Sequence, residues 1–349
     1  MLPPGRQPIR KDDGKLMKIA LDAMGGDFGP TVTVAGAAAF VQGTDAVVLL
    51  VGDPDQIEPL LRQYNTDRLV LVPATEIIGM EDHPVRAVRQ KRDSSLVVAA
   101  RLVKEGEAQA FVSAGNTGAM MAAALLTMGR IPGIERPAIP CPIPVHAGEA
   151  ILLDVGANVD CRPSHLVQFA AMGQAYLEKV RGIKEPTVGL LNIGSEASKG
   201  NELTVKVYQL LEQSGLNFVG NVEGRELFAG RANVVVCDGF VGNVVLKVAE
   251  GLGMMVLDTI KEELTASKLA LLGGMLARPA LHRVKQRLDY TEYGGSPLLG
   301  VDGVSIVSHG SSNATAIQNA LKVAEDAVRA ELTDSIASMA ARLGGENSD

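Results

Sequence analysis

Eight short runs of this chain are apolar at nearly every position rather than at every second one. They are Lys18 to Asp22, Ala46 to Val51, Leu69 to Val72, Ala110 to Ser113, Ala150 to Asp154, Val188 to Asn192, Val234 to Asp238 and Val304 to Ser308. A strand with one wet face alternates, so these runs read as strands buried on both faces. Several of the stretches between them have helical period. Ser94 or Ser95 caps a predicted helix carrying Leu96, Ala99, Ala100 and Val103, and Ser164 caps one carrying Val167, Ala170, Ala171 and Leu177. Strands alternating with helices predict a doubly wound α/β fold, with a mainly parallel sheet covered on both sides.

The 349 residues are enough for a large core of this kind. The chain is 46% hydrophobic and only 3% aromatic, with no Trp, which speaks against bases stacked on rings. A net charge of −7 excludes a globally basic nucleic-acid binder, so no nucleic-acid partner is expected. Cys141, Cys161 and Cys237 are an odd set without CxxC spacing. They suggest neither a disulfide framework nor a zinc site, and they fit a reducing cytoplasm. Residues 1–16 read as a loose tail without an apolar leader, 17–335 as one domain and 336–349 as a second tail. No run reads as a membrane span at this level. A long helical pattern from Val244 to Leu264, followed by Lys268 to Leu288 with Pro279 inside it, is too long for a crossover. The element 244–289 is therefore expected to protrude as a helix pair. Gly251 and Gly253 inside it read as points of close helix packing.

The strand candidates end alike. They run into Asp22-Ala-Met-Gly25-Gly26-Asp27, Ser113-Ala-Gly115-Asn116-Thr117-Gly118, Asp154-Val-Gly156-Ala-Asn158, Asn192-Ile-Gly194-Ser-Glu196, Asp238-Gly239-Phe-Val-Gly242-Asn243 and Ser308-His309-Gly310-Ser311-Ser312-Asn313. Ligands of parallel sheets bind beyond the carboxyl ends of the strands, where glycine lets backbone amides approach an anion. Six such loops would make one polar, amide-rich pocket. A single one would be an ordinary turn.

Sharper motifs are missing. No GxxxxGK[ST] occurs, and Gly194 to Gly200 places Lys199 without the required spacing or hydroxyl neighbour, so no nucleoside triphosphate is implied. No GxGxxG follows the first strand, no GxSxG elbow is present, and the five histidines lack ligand spacing. Neither a nicotinamide cofactor, an acyl-serine nor a bound metal is expected, and no cofactor is assigned.

Taken in order, LDAMGGD (Leu21 to Asp27), VSAGNTGA (Val112 to Ala119), LLDVGAN (Leu152 to Asn158), LNIGSEASKGN (Leu191 to Asn201), NVEGRELF (Asn221 to Phe228), CDGFVGNVVLK (Cys237 to Lys247) and SHGSSN (Ser308 to Asn313) closely resemble the PlsX-type phosphate acyltransferases. The resemblance runs from about Lys18 to Ala330. It implies transfer of a fatty acyl group from acyl carrier protein to inorganic phosphate, giving acyl phosphate for phospholipid synthesis. It also implies a three-layer α/β/α sandwich similar to the isocitrate and isopropylmalate dehydrogenases, and a homodimer. Its product would pass to a membrane glycerol-3-phosphate acyltransferase, which places a cytoplasmic protein at the membrane surface. A phosphotransacylase using coenzyme A shares the anion-binding loops but needs a nucleotide pocket. A scaffold for acyl carrier protein without turnover is the non-enzymatic alternative.

For this chemistry phosphate is itself the nucleophile and a thioester is already activated, so positioning and charge stabilisation matter more than a covalent intermediate. Lys199 is the first candidate for a phosphate countercharge, against a plain solvated lysine. His309 is the candidate proton donor or phosphate ligand, against a structural histidine, and Asn116 is the candidate amide donor. The substrate-binding set is Asp22, Gly25, Gly26, Asp27, Gly115, Thr117, Gly118, Asp154, Asn158, Asn192, Glu196, Asp238, Asn243, Ser311, Ser312 and Asn313. For the acidic members, capping a helix is the simpler role.

Two basic segments lie outside the loops. Arg86, Arg89, Lys91 and Arg92 precede the Ser94-Ser95 pair and suit either docking of an acidic acyl carrier protein or a solvated charged loop. In the second segment Leu269, Leu271, Leu272, Met275 and Leu276 lead into Arg278, Arg283, Lys285 and Arg287 with no acidic residue between. Apolar insertion with cationic attraction suits an anionic bilayer surface, and a dimer interface with a basic solvent face fits the same periodicity.

Overall fold

The computed structural model describes residues 16–64, 66–146, 148–288 and 294–345. The tail expected at residues 1–16 lies outside them except for Leu16. In chain order the elements are β1 (Lys18–Asp22), α1 (Gly29–Val41), β2 (Val47–Gly52), α2 (Pro54–Leu61), β3 (Leu69–Pro73), α3 (Pro84–Gln90), α4 (Ser95–Lys104), β4 (Ala110–Ser113) and α5 (Thr117–Ala123), which continues as a π-helical turn over Ala124–Met128. They continue with β5 (Cys141–Ile143), β6 (Ala150–Leu153), α6 (Pro163–Lys179), β7 (Val188–Asn192), α7 (Glu202–Gln213), β8 (Phe218–Glu223), α8 (Gly224–Leu227) and β9 (Val234–Val236). The last are α9 (Gly239–Thr265), α10 (Lys268–Leu288), β10 (Ser296–Pro297), β11 (Val304–Val307), α11 (Ala314–Arg329) and α12 (Leu332–Gly345).

The eight expected strands are all present, but they divide between two sheets. One has the order β10-β11-β4-β1-β2-β3 and the other β5-β6-β9-β7-β8. Each is parallel except at one edge, where β10 and β5 pair antiparallel with β11 and β6. Strand alternation builds the layers. In the first sheet Ile19 and Leu21 face a core shared with α1 and α11, while Ala20 and Phe111 face α4 and α5. In the second, Ile151, Leu153, Val188 and Val234 turn into that same shared core, and Leu152, Leu191, Val222 and Val235 turn away from it. The two sheets thus sandwich one continuous apolar layer of helices, and each carries a smaller cluster outside.

Four details depart from expectation. The helix beginning near Ser164 starts at Pro163, with Arg162 as its N-cap and His165 Nδ1 accepting the Arg162 N–H at 3.2 Å. The chain beyond residue 335 is not a tail over its described part. It continues in α12, which buries Ile336 and Ala340 and packs on α6, because its apolar face completes the shared core. The long pair α9 and α10 does protrude, with only Gly239 and Gly242 of α9 buried. Gly251 and Gly253 meet open space rather than a packed neighbour, and it is Gly274 of α10 that faces Leu264. Gly239–Thr265 contains an 18-residue window of mean hydropathy 1.6 and by length and composition alone is long and apolar enough to cross a membrane, contrary to the expectation above.

In the shared layer α1 and α11 approach closely at Gly36. A Cβ on Gly36 would lie 2.6 Å from Ile317 Cβ and 2.7 Å from the Ala314 carbonyl oxygen, so backbone as well as side chain would have to move. Alanine is favoured over glycine in a free helix by about 1 kcal/mol, whereas overpacking costs about 1–3 kcal/mol. Gly36→Ala is therefore expected to lower the denaturant midpoint. An unchanged or higher midpoint would show that α1 and α11 are not in this close contact.

Candidate functional site

The loops after β1, β4 and β11 interlock. Asp22, wholly buried, accepts a hydrogen bond from Ser113 Oγ at 2.7 Å, and Ser113 Oγ in turn accepts the Gly115 N–H at 3.0 Å. Here the backbones of two loops cross. A Cβ on Gly25 would stand 2.7 Å from Asp22 Oδ2 and 2.9 Å from the Gly115 nitrogen. Burial drives the Asp22 carboxyl pKa upward, against the opposing effect of hydrogen bonds from Ser95, Ser113 and the Met24 and Gly25 amides. The third loop joins through the Asp27 N–H, which donates to the Gly310 carbonyl at 2.8 Å, and through Gly26 at φ +91°.

His309 is exposed on that third loop. Its Nδ1 lies 2.7 Å from Ser311 Oγ and accepts the Ser311 N–H at 3.2 Å. With Nδ1 accepting a backbone donor, the neutral ring carries its proton on Nε2. Ser312 Oγ donates to the His309 carbonyl at 2.6 Å and stands 2.8 Å from Ser308 Oγ, so it is a buried brace rather than a surface donor. Asn313 caps α11 through the Ala316 N–H.

Asn116 does not offer a free amide. Its Oδ1 caps α5 by accepting the Ala119 N–H at 3.0 Å, and its Nδ2 donates to the carbonyls of Met80 and Asp82. The candidate amide donor is thereby corrected to a clasp between the β4 loop and the segment before α3. Gly118 completes the clasp, since a Cβ there would sit 2.7 Å from Pro84 Cγ. The basic segment consequently stands directly beside the site. Arg86, Arg89 and Arg92 are exposed, with the apolar Ile77, Met80 and Val85 also exposed around them. Lys91 differs from the three arginines. It donates to Asp82 at 2.6 Å and to the Ile77 carbonyl at 2.8 Å, which makes it a strut of the loop rather than a docking charge. The Lys91 ammonium and the Gly79 amide hold the Asp82 carboxyl below its ordinary range.

The loop after β6 repeats the device of the loop after β1. Asp154, buried, accepts from the amides of Ile139, Ala157 and Asn158 and from Asn158 Nδ2. Asn158 Nδ2 also donates to the Pro137 carbonyl at 2.7 Å. Burial again raises the carboxyl pKa, and these same hydrogen bonds oppose the rise. The start of α9 docks here. Gly239 N–H donates to the Asn158 carbonyl at 2.7 Å, Asp238 caps the helix through the Val241 N–H, and Asn243 lies against Gly156. Val155 and Ala157 pack against the cluster of α4 and α5, which brings this loop up to the β4 loop.

The β7 loop stands apart from these contacts. Asn192 Nδ2 holds the Lys199 carbonyl at 3.0 Å, and Asn221 Nδ2 holds the Glu196 carbonyl at 2.8 Å. Lys199 itself is exposed, with its ammonium 4.0 Å from Glu196. Its connection to the rest runs through the sheet, in which β7 lies beside β9.

The three thiols are poorly suited to attack. Burial pushes Cys141 up to about 12, Cys161 up to about 11 and Cys237 well above its ordinary value. Among the described residues no three His, Cys, Asp or Glu side chains group to hold a metal ion. A cavity of about 190 Å³ lined by Ile143, Ile151, Tyr176 and Arg181 lies at the entering end of β6, away from Asp154, and is not part of this site. Sequence reasoning passed over Ser113, which lay inside a quoted motif two residues before its glycine. It also passed over His165, whose ring bonds Arg162 and Glu135 at the start of α6.

In α10 the apolar side chains are exposed as expected, Leu269 and Leu276 at 81% and 79% and Leu271, Leu272 and Met275 less so. Arg278 and Arg283 are exposed as well, and the side chains of Lys285 and Arg287 lie outside the described residues.

Residues 17–335 match the family model described as "Fatty acid synthesis protein". A phosphate acyltransferase of Heliobacterium modesticaldum is 56% identical over 90% of this chain and 94% of its own length. One from Desulfitobacterium hafniense is 54% identical over 92% and 96%. Among solved structures, a phosphotransacetylase from Streptococcus pyogenes has a TM-score of 0.63 at 18% identity, covering 90% of this chain and 95% of that one. A 4-hydroxythreonine-4-phosphate dehydrogenase from Klebsiella pneumoniae has a TM-score of 0.52 at 13% identity, covering 89% and 100%. These two share the three-layer α/β fold, and the far higher identities decide the family: the chain belongs to the phosphate acyltransferases.

Proposed function

We propose that the protein transfers a fatty acyl group from acyl carrier protein to inorganic phosphate, in the cytoplasm at the membrane surface, as a homodimer. The observation that carries this reading is the identity of 53–56% to several phosphate acyltransferases across nearly the whole chain, joined to a glycine-crossed site with no available thiolate. Phosphate oxygen attacks the thioester carbonyl, the tetrahedral oxyanion collapses, and the carbon–sulfur bond breaks. Hydrogen phosphate and acyl thioester give acyl phosphate and free thiol, so the proton on the nucleophile is the one the leaving sulfur needs. In this reading exposed His309, whose Nδ1 accepts the Ser311 N–H, relays that proton. Lys199 supplies positive charge to the phosphate from the β7 loop. Side chains of Asp22, Asp154, Asn116 and Asn158 act by holding loop backbones in place rather than by touching substrate, which is how positioning contributes to rate. The relatives' names speak for acyl transfer to phosphate, and the intact strand-end loops favour turnover over a scaffold.

Thiol release from palmitoyl acyl carrier protein and from palmitoyl coenzyme A, each with and without phosphate, tests the reaction. Phosphate-dependent release from the carrier protein is expected, with His309→Ala and Lys199→Ala each lowering kcat/KM by about 10²-fold or more. Release from coenzyme A alone, or full activity in both variants, would overturn the respective assignment.

Arg86, Arg89 and Arg92 form the docking surface for the acidic carrier in this reading, since they are exposed and flank the β4 loop. Arg86→Glu with Arg89→Glu is expected to raise KM for the carrier-bound donor at least tenfold while leaving kcat nearly unchanged. A KM within twofold of the parent removes the docking role.

The exposed apolar side chains of α10 hold the membrane surface, and the nearby arginines add about 1 kcal/mol each on anionic lipid. The product thereby meets a downstream membrane glycerol-3-phosphate acyltransferase. Leu269→Glu with Leu276→Glu is expected to abolish co-sedimentation with anionic liposomes. Unchanged co-sedimentation assigns membrane contact to another part of the molecule.

A further inference from the structure

The segment from Glu135 to Ile139 is fixed at every residue but one. The Glu135 N–H donates to Gln168 Oε1 at 2.8 Å, and its carboxylate holds Arg162 and lies 3.2 Å from His165 Nε2. The Pro137 carbonyl accepts from Asn158 Nδ2 at 2.7 Å, Ala138 exchanges two backbone hydrogen bonds with Leu299 at 2.9 Å, and the Ile139 N–H reaches Asp154 Oδ1 at 3.2 Å. Arg136 stands inside this rail, and its exposed side chain makes no hydrogen bond or ion pair among the described residues. Asn158 and Asp154 belong to the loop after β6, so the rail sets Arg136 against the wall of the candidate site. Its charge is felt there. The Cys161 thiol, whose Sγ is 3.5 Å from the Asn158 carbonyl, is pushed up by burial and by the Asp154 and Asp238 carboxylates, and the Gly239 amide and Arg136 oppose them. Other cations around this end of the second sheet already face a carboxylate. Arg162, Lys199, Arg225 and Lys247 stand against Glu135, Glu196, Glu223 and Glu250 respectively. Glu135, the chain neighbour that could neutralise Arg136, is engaged by Arg162 and His165 instead.

We propose that Arg136 is a phosphate-recognising residue of this site, its planar guanidinium taking two oxygens of a phosphate group beside the Asp154 loop. This rests on the acyl-transfer reading above, and it adds to Lys199 of the β7 loop a second cation on the β6 side. An arginine without a carboxylate partner, carried on a backbone that hydrogen bonds already hold, is pre-organised for an anion, because that backbone needs no ordering when the anion arrives. Two groups in the reaction present this chemistry. One is the inorganic phosphate that accepts the acyl group, and the other is the phosphodiester that tethers the thiol arm of the carrier protein. Inorganic phosphate is the expected occupant, since at neutral pH it carries more charge than a diester.

Arg136→Gln removes the charge at an exposed position and leaves the anchored backbone on either side as it is. The full chain is assayed by phosphate-dependent thiol release from palmitoyl acyl carrier protein. KM for phosphate is expected to rise about ten- to a hundredfold, the loss typical of hydrogen bonds to a charged group, with KM for the carrier-bound donor within twofold. Arg136→Lys, which keeps the charge and loses the fork, should fall between the parent and Arg136→Gln. A rise in KM for the donor alone assigns Arg136 to the phosphodiester, and palmitoyl pantetheine, which lacks that group, should then not distinguish parent from variant. Arg225→Gln removes a positive charge from the same end of the sheet and should leave both constants within twofold. An equal rise in that variant would show a general field rather than a contact and overturn the proposal, as would both constants staying within twofold in Arg136→Gln. Titration of inorganic phosphate followed by phosphorus NMR separates the site from the reading beneath it. Weaker phosphate binding by Arg136→Gln supports the site even in a protein that releases no thiol, a result that overturns acyl transfer itself. Equal phosphate binding together with an unchanged KM for the donor overturns the site.

Discussion

Two buried carboxylates hold the working end of this molecule together. Asp22 closes β1 and Asp154 follows β6, one in each sheet, and each is followed within three residues by glycine. A carboxylate taken out of water is costly unless donors surround it. Asp22 finds Ser113, and Asp154 finds three backbone amides and the Asn158 amide. Bringing those donors in leaves the loops little freedom, although Asp22 Oδ1 stays buried without a partner among the described residues. The Gly25 and Gly115 backbones must cross beside Asp22, and α9 must begin beside Asp154. Burial raises both pKa values, so in each case the surrounding donors act against protonation of the group they serve. The surface of the strand-end loops inherits its rigidity from these buried polar contacts.

That arrangement explains which parts were legible in the sequence. Gly and Asp at the ends of apolar runs are visible without a structure, and five of the six loops so found do meet through described contacts. Their roles were harder to read. Asn116, Asp238 and Asn313 look like ligands in a list of polar strand-end residues, yet each accepts the backbone N–H three residues on and caps a helix. A loop that enters a helix needs such a cap whether or not it binds anything, and residue type alone does not separate the two demands. Lys91 is a similar case. In sequence it is one of four clustered bases, and in space Asp82 neutralises it while its arginine neighbours stay exposed.

The division into two sheets was not legible for a different reason. β5 and β10 are three and two residues long, contain proline and pair at edges, so they carry no run of apolar residues to notice. β8 is longer, but Gly220 at φ +90° and Asn221 interrupt it, and its register with β7 shifts between Val188 and Leu190. Nor does periodicity show which strands share a sheet. Pairing depends on the long connection from β4 through α5 to β5, where Ala138 bridges to Leu299 and ties the second sheet back to the first. Hydrophobic pattern reports burial well, and it reports neighbours only when the connections are short.

α9 joins the two regions that sequence treats separately. A Cβ on Gly242 would fall 1.9 Å from the Asp154 carbonyl oxygen, and one on Gly239 2.7 Å from Asp154 Oδ2, so the first turn seats against the carboxylate only because both residues are glycine. From that seat the helix runs out of the body for the rest of its 27 residues with little cover. A helix is stiff along its axis and bends sharply only where proline, a bulge or an inserted group breaks its ladder. α9 contains no proline, and its first two glycines are clamped at the base. Force on the protruding pair is therefore delivered to the Asp154 loop, and through Val155 and Ala157 to the packing around α5. The protruding helix and the strand-end loops are thus joined through one short segment, the Asp154 loop, in which Gly239 and Gly242 are seated.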